Sequence, residues 1–236
     1  MRAYMDALLW RFLPRRPSIR ILDAGCGTGM TMIHLQQYTS PDHVVGLEIA
    51  HPALQFCRQR SIPLLVQGTV TDLPFPAERF DLVVCTDVLQ HLPDDAVAFQ
   101  ALQEFQRVLR PGGILFLRTR AATAPEPAPG PHTPSPAWFT RRGMAHRLTA
   151  GGWQVRLVTY ANMVPAWLSQ WHGRWRTAGR HHHALVQTHR PLLRMPPPRI
   201  NRLLRWILSI EARYVGITGR PLPYGHSLIC IAQRPS

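Results

Sequence analysis

A chain of 236 residues with 45% hydrophobic content can bury one good core and an appended cap, and no apolar run approaches the roughly 20 residues of a membrane-spanning helix. Four scattered cysteines (Cys26, Cys57, Cys85, Cys230) without a CxxC pair read as reduced thiols, excluding a disulfide frame or a zinc site. Charge is segregated: up to Arg120, 12 Arg face 11 acids for a net +1, whereas beyond it 15 Arg face only Glu126 and Glu211 for a net +13. No lysine is present, which a GC-rich coding bias accounts for, but the segregation points to an anionic partner: a phosphate-bearing substrate, a membrane surface or nucleic acid.

Residues 1–13 read as a helix stopped by Pro14 and Pro17. This start lacks the long apolar core and cleavage site of a signal peptide, so a cytoplasmic protein is expected. Ile19 to Leu22 form a short buried strand, and Asp23-Ala24-Gly25-Cys26-Gly27-Thr28-Gly29 follows. A helix over Thr28 to Tyr38 comes next, completing the strand–glycine turn–helix half of a nucleotide-binding unit. The spacing is not that of a dinucleotide fingerprint: the third glycine arrives one position early, and Met30 stands where Gly or Ala is wanted. A tight turn with no ligand is the competing reading. The D-x-G-x-G-x-G pattern resembles motif I of the class I S-adenosylmethionine (SAM)-dependent methyltransferases, which need no pyrophosphate cradle.

The second strand, His43 to Glu48, ends in an acid about 20 residues beyond the glycines, the distance at which a carboxylate can accept both ribose hydroxyls. The competing role for Glu48 is a solvated strand-end acid. A helix over Ala53 to Arg60 and a strand over Ile62 to Val66 follow. Gly68-Thr69-Val70-Thr71-Asp72-Leu73-Pro74-Phe75 resembles the G-D-x-x-x-L-P-F segment of the type 11 methyltransferases. Thr69 replaces that segment's adenine-binding Asp, so the resemblance implies Thr69 and Val70 as adenine neighbours with weaker cofactor binding. Phe80 to Cys85 is a fourth strand, and the resemblance places the following Thr86, Asp87 and His91 beside the methionine part of the cofactor. A helix-start histidine bonded to backbone is the alternative for His91. Asp94 and Asp95 cap a helix running to Arg110, and Pro111-Gly112-Gly113 stop it before a strand over Ile114 to Leu117. The run Arg107 to Gly113 resembles the family's R-V-L-x-P-G-G turn.

Residues 121–137 are proline-rich and read as a linker or lid, dividing a core at 1–120 from a C-terminal part at 138–236 that carries a basic helical insertion at 160–215. A helix from Phe139 to Ala150 precedes a sixth strand, Trp153 to Tyr160, and His226 to Ala232 is a seventh. The segments at 160–165, 201–204 and 222–228 resemble the tail of a bacterial type 11 subgroup. That subgroup's H-x-R-R-Y segment is replaced here by Pro134 to Trp138.

Trp167, Trp171 and Trp175 recur every four residues beside Arg174 and Arg176, a pattern suited either to packing on the parent domain or to a membrane interface or lipidic substrate. The His181-His182-His183 tract has no spaced carboxylate or cysteine partners, so no metal site is expected. In a helix over Arg199 to Tyr214, Ile200, Leu204, Ile207, Glu211 and Tyr214 share a stripe, and Glu211 on it needs a partner such as Arg220 or acts as a general base.

The implied fold is α/β, a Rossmann-like doubly wound seven-stranded sheet, mostly parallel with its last strand antiparallel. The implied activity is methyl transfer from SAM, with Asp23, Gly25, Cys26, Gly27, Gly29, Glu48, Ile49, Thr69, Val70, Thr86, Asp87 and His91 around the cofactor. His91, Glu211, Tyr160 and His226 are the candidates for a base. The acceptor is a small molecule, anionic or lipid-linked. An RNA acceptor and a non-catalytic partner protein remain the two other readings.

Overall fold

The apolar runs lie side by side in one seven-stranded sheet of order β3-β2-β1-β4-β5-β7-β6. The strands are β1 (Ile21–Ala24), β2 (Val44–Glu48), β3 (Leu65–Gln67), β4 (Phe80–Thr86), β5 (Leu109–Arg120), β6 (Gln154–Ala161) and β7 (Ser227–Gln233). The computed structural model describes residues 2–13, 16, 18–122, 136–164, 166 and 198–236. Neighbouring strands are parallel except at β7, which runs antiparallel to both β5 and β6. The expected architecture is therefore present. Strand order reverses between β1 and β4, and in such sheets the crevice for a ligand opens at the carboxyl ends of those two strands.

Helices cover both faces: α1 (Arg2–Phe12), α2 (Met30–Leu35), α3 (His51–Gln59), α4 (Asp95–Val108), α5 (Arg141–Ala150) and α6 (Pro198–Thr218). One core joins Ala98, Ala101, Leu102, Phe105 and Val108 of α4 to Leu22, Val83, Leu115 and Leu117 on the sheet. The other joins Tyr4, Leu8 and Leu9 of α1 and Ala212 and Val215 of α6 to Ile21, Val84, Phe116 and Ile231. The alternation along β5, with 114 and 116 in one core and 115 and 117 in the other, follows from side chains pointing to opposite faces of a strand.

Three boundaries differ from the sequence expectation in ways that matter. The first strand runs on to Ala24, so Asp23 lies inside it and is fully buried. Helix α4 stops at Val108, two residues short of Arg110, and the Pro111-Gly112-Gly113 turn falls within β5 as an irregularity between Leu109 and Ile114. That turn is held because Gly112 and Gly113 exchange backbone bonds with Arg234 beyond β7. Helix α2 covers only Met30–Leu35, with Gly29 left-handed at its start. The Asp94 cap does form, its carboxylate accepting the Val97 amide at 2.8 Å, a contact worth about 1 kcal/mol.

The helix expected from Phe139 splits into a turn at Pro136–Phe139 and α5, whose Thr140 side chain accepts the Gly143 amide. Trp138 is buried under it, with the Arg147 guanidinium 4.8 Å from its ring centre. The Trp167–Trp175 segment, the histidine tract and most of the 121–137 linker lie outside the described residues. Among the described residues no helix is long and apolar enough to cross a membrane.

Candidate functional site

The glycine turn is fastened to the strand beside it. The amides of Gly25 and Cys26 both donate to the Leu47 carbonyl, at 2.8 and 3.0 Å. The Gly27 amide donates to Glu48 Oε2 at 2.9 Å, and the Ala50 amide donates to Oε1 at 2.9 Å. With these amides engaged, the turn offers no nest of free N–H groups for a pyrophosphate, as the glycine spacing implied. The Glu48 carboxylate caps the turn and still has lone pairs to spare, since two oxygens supply about four acceptor sites.

Each glycine meets a different constraint. A Cβ on Gly25 would lie 2.3 Å from Val88 Cγ2, and one on Gly29 would lie 2.2 Å from Ile62 Cδ1, while a Cβ on Gly27 would meet nothing within 4 Å. All three have positive φ. Space thus opens above Gly27, next to Glu48, and closes at the other two. Gly25→Ala adds left-handed strain to that clash and should cost about 2–3 kcal/mol of stability, read as a lower urea midpoint at unchanged slope.

Behind the turn sits Asp23, fully buried, and neither carboxylate oxygen has a hydrogen-bond partner among the described residues. Burial first, and then the charge of Glu48, push its pKa from the ordinary 3.8 up to about 7. A buried carboxylate without a partner is costly, and a cation placed against it relieves that cost. The thiols of Cys26 and Cys57 also border the turn. Cys57 donates to the Gly27 carbonyl at 3.2 Å, and burial raises the pKa of both, so both stay protonated.

The remaining predicted positions lie at or just beyond the carboxyl ends of β2, β3 and β4. Ile49, directly after Glu48, is 68% exposed, and Val70 is buried. Thr69 is half-buried, with its hydroxyl 2.8 Å from that of Thr71. Thr86 ends β4, and Asp87 directly after it is held at φ 59. Its carboxylate pairs with Arg118 of β5, and its amide donates to the Arg118 carbonyl at 2.9 Å. Gln90 accepts the Thr119 hydroxyl at 2.7 Å and the Arg120 amide at 2.9 Å, tying the loop after β4 to β5. Arg118 and Gln90 were not singled out in the sequence. A strand-end arginine carries no local signal of which carboxylate it will meet.

The candidate bases separate. His91 is exposed in a helical turn at Leu89–His91, and His226 is exposed just before β7. The Tyr160 hydroxyl accepts the Arg141 amide at the start of α5, at 3.3 Å. Glu211 is buried on α6 and accepts from the Tyr4 hydroxyl at 2.9 Å and from the amides of Met163 and Val164 at 3.2 and 3.0 Å. Its partners are thus these three donors and not Arg220. Among the described residues no three His, Cys, Asp or Glu are arranged to hold a metal ion.

These observations fit SAM: a buried unpartnered carboxylate for a cation, an acid beside an open glycine for a sugar, and an exposed isoleucine for an apolar ring. Residues 22–117 match the family model described as a methyltransferase domain. The fatty-acid O-methyltransferase of Mycolicibacterium smegmatis is 41% identical over 105 residues, covering 43% of this chain and 37% of that protein. The human probable tRNA methyltransferase 9B is 32% identical over 103 residues, covering 44% of this chain and 22% of that protein. The chain thus spans less than half the length of these curated relatives. A SAM-dependent methyltransferase structure from Mesorhizobium loti superposes with TM-score 0.58 at 19% identity, covering 98% of both chains, which supports the fold alone. The glycine turn and Glu48 thus lie within a methyltransferase domain matched over residues 22–117, and SAM is the cofactor that their geometry fits.

Proposed function

We propose that this chain moves the methyl group of SAM to a small-molecule acceptor that is anionic or lipid-linked. The observation that carries this reading is the joint at the ends of β1 and β2, where Glu48 clasps the Gly27 amide beside open space and Asp23 waits unpartnered behind it. Bound there, SAM supplies an electrophilic methyl group on a sulfonium. The spare lone pairs of Glu48 accept the ribose hydroxyls, and Ile49 and Val70 flank the adenine with Thr69 offering one hydroxyl. Asp23, Gly25, Cys26, Gly27 and Gly29 shape the wall facing the cationic end. Thr86, Asp87 and His91 line the methionine side, and the Arg118 ion pair holds Asp87 in its left-handed conformation.

The chain's contribution to rate is alignment of the acceptor atom with the methyl and exclusion of water. An acceptor hydroxyl or ammonium must also lose a proton. Glu211 and Tyr160 already accept hydrogen bonds from their neighbours, which favours the exposed His91 for that task.

Support for a lipid-linked acceptor comes from the relative named a fatty-acid O-methyltransferase and from the basic C-terminal half. The relative named a probable tRNA methyltransferase keeps RNA as the second reading. The test is incubation of the full chain with methyl-labelled SAM and separate lipid, aqueous-metabolite and RNA fractions. A product heavier by one CH2 in the lipid or metabolite fraction is expected. Glu48→Ala should lower its yield at sub-saturating SAM by weakening the cofactor about tenfold or more, since hydrogen bonds to a charged group contribute roughly 1.5–3 kcal/mol. Label in RNA alone would replace this reading with the RNA one. Tight SAM binding with no product in any fraction would favour a non-catalytic partner.

A further inference from the structure

Helix α6 has two apolar faces, and among the described residues only one is packed against the rest of the fold. Ala212, Val215 and Gly216 are buried against α1, so closely that a Cβ on Gly216 would lie 2.7 Å from that of Ala7. Ile200 and Tyr214, assigned by their spacing to the same stripe as Glu211, lie instead on an outer face. There Ile200, Leu203, Trp206, Ile210, Tyr214 and Ile217 are each at least 45% exposed. From Leu203 onward they advance in steps of three and four, so they form one continuous stripe. Arg202, Arg205 and Arg213 are exposed on the same helix, whose one acid, Glu211, is buried. The surface continues onto α1, where Trp10 is 71% exposed. Trp10, Arg11, Arg213 and Ile217 share the wall of an open cavity of about 940 Å3 between the two helices.

We propose that this face, α6 with Trp10, docks flat on a bilayer carrying anionic headgroups. Apolar and aromatic side chains on one stripe with arginines beside them match a helix lying in the membrane interface. Charge selects the occupant. A second copy related by a two-fold axis would bring the arginines of one α6, Arg202, Arg205 and Arg213, against the same positive set on the other. The chain's own residues 167–197 add five arginines and no acid, so they cannot neutralise the face. An anionic leaflet brings the opposite sign, and each Arg near it strengthens binding roughly fivefold. Docking rests on this surface alone and does not require the acceptor to be a lipid.

Sedimentation of the full chain with vesicles tests it. The chain should pellet with vesicles of equal parts phosphatidylcholine and phosphatidylglycerol, should stay in solution with phosphatidylcholine alone, and should release at high salt. Trp206→Glu should weaken binding at least about tenfold, because it places a charge in the apolar stripe. Arg205→Gln should weaken it roughly fivefold, the equivalent of one lost charge. Both variants should bind SAM as the parent does, which shows that they are folded. Ile210→Gln reads the same stripe if Trp206→Glu fails that control. Indifference of the parent to anionic vesicles overturns the proposal. So does unchanged vesicle binding by folded stripe variants, or a concentration-dependent dimer that they dissolve.

Discussion

Replacing Asp23 by Asn should make the cofactor-free chain more heat-stable and, at the same time, a poorer binder of SAM. Asp23 is fully buried, its oxygens lack partners among the described residues, and its pKa is pushed from 3.8 up to about 7 by burial and then by Glu48. The sign follows from linkage. The folded value lies above the unfolded one, so the favourable contribution is complete below the unfolded pKa and is lost as pH rises through about 7. The neutral amide escapes that loss. At about pH 8 we expect Asp23→Asn to gain about 2 kcal/mol, or roughly 5 °C in thermal midpoint, and to converge on the parent only as pH falls below about 4. Scanning calorimetry across that range checks it. The same carboxylate is what a cationic ligand meets behind the turn, so parent affinity for SAM should improve as pH rises through about 7, whereas that of the variant should stay flat. A variant less stable than the parent at alkaline pH would show that Asp23 is satisfied by something other than the cofactor.

The second large effect is at Glu211. Its carboxylate collects the Tyr4 hydroxyl of α1 and the Met163 and Val164 amides, joining the first helix, the end of β6 and α6. Burial, then the charge of Glu211, hold the Tyr4 phenol above its ordinary pKa, so it remains a donor at any physiological pH. Glu211→Ala strands three donors in a buried setting and should cost about 3–5 kcal/mol, read from the denaturant midpoint. Glu211→Gln keeps one good acceptor and should lose roughly half as much. The alternative role makes a different forecast. A general base at Glu211 would leave the Gln variant folded but inactive, whereas the clamp predicts normal turnover per folded molecule.

Much of the sheet could be read from the chain because its signals are local. The buried runs at Phe80–Thr86 and Ser227–Gln233 carry apolar residues on both faces, and their length of seven residues suits a central strand better than a buried helix. The glycine turn was readable for the same reason, since positive φ at Gly25, Gly27 and Gly29 leaves few alternatives to glycine. What escaped the sequence was pairing over distance. Glu211 on an apolar stripe announced a buried carboxylate but not its partners, because Tyr4 lies 207 positions away. The Arg118–Asp87 pair is set by the β4–β5 register, which no periodicity encodes. The end of α4 was misplaced because the bonds fixing Gly112 and Gly113 come from Arg234, just beyond the neighbouring strand β7 but remote in the chain. Ile200 and Tyr214 of the outer stripe were grouped with Glu211 because apolar positions on both sides of one helix blur into a single period.

Titration calorimetry of the full chain with SAM near pH 7 tests the central claim most directly. The account predicts one site per chain with a dissociation constant on the order of micromolar, about tenfold or more weaker in Glu48→Ala. It also predicts proton release on binding, seen as a dependence on buffer ionisation heat, because a cation beside Asp23 drives that group to its carboxylate. No binding heat with SAM at about millimolar concentration, a level that would reveal even a weak site, would contradict it.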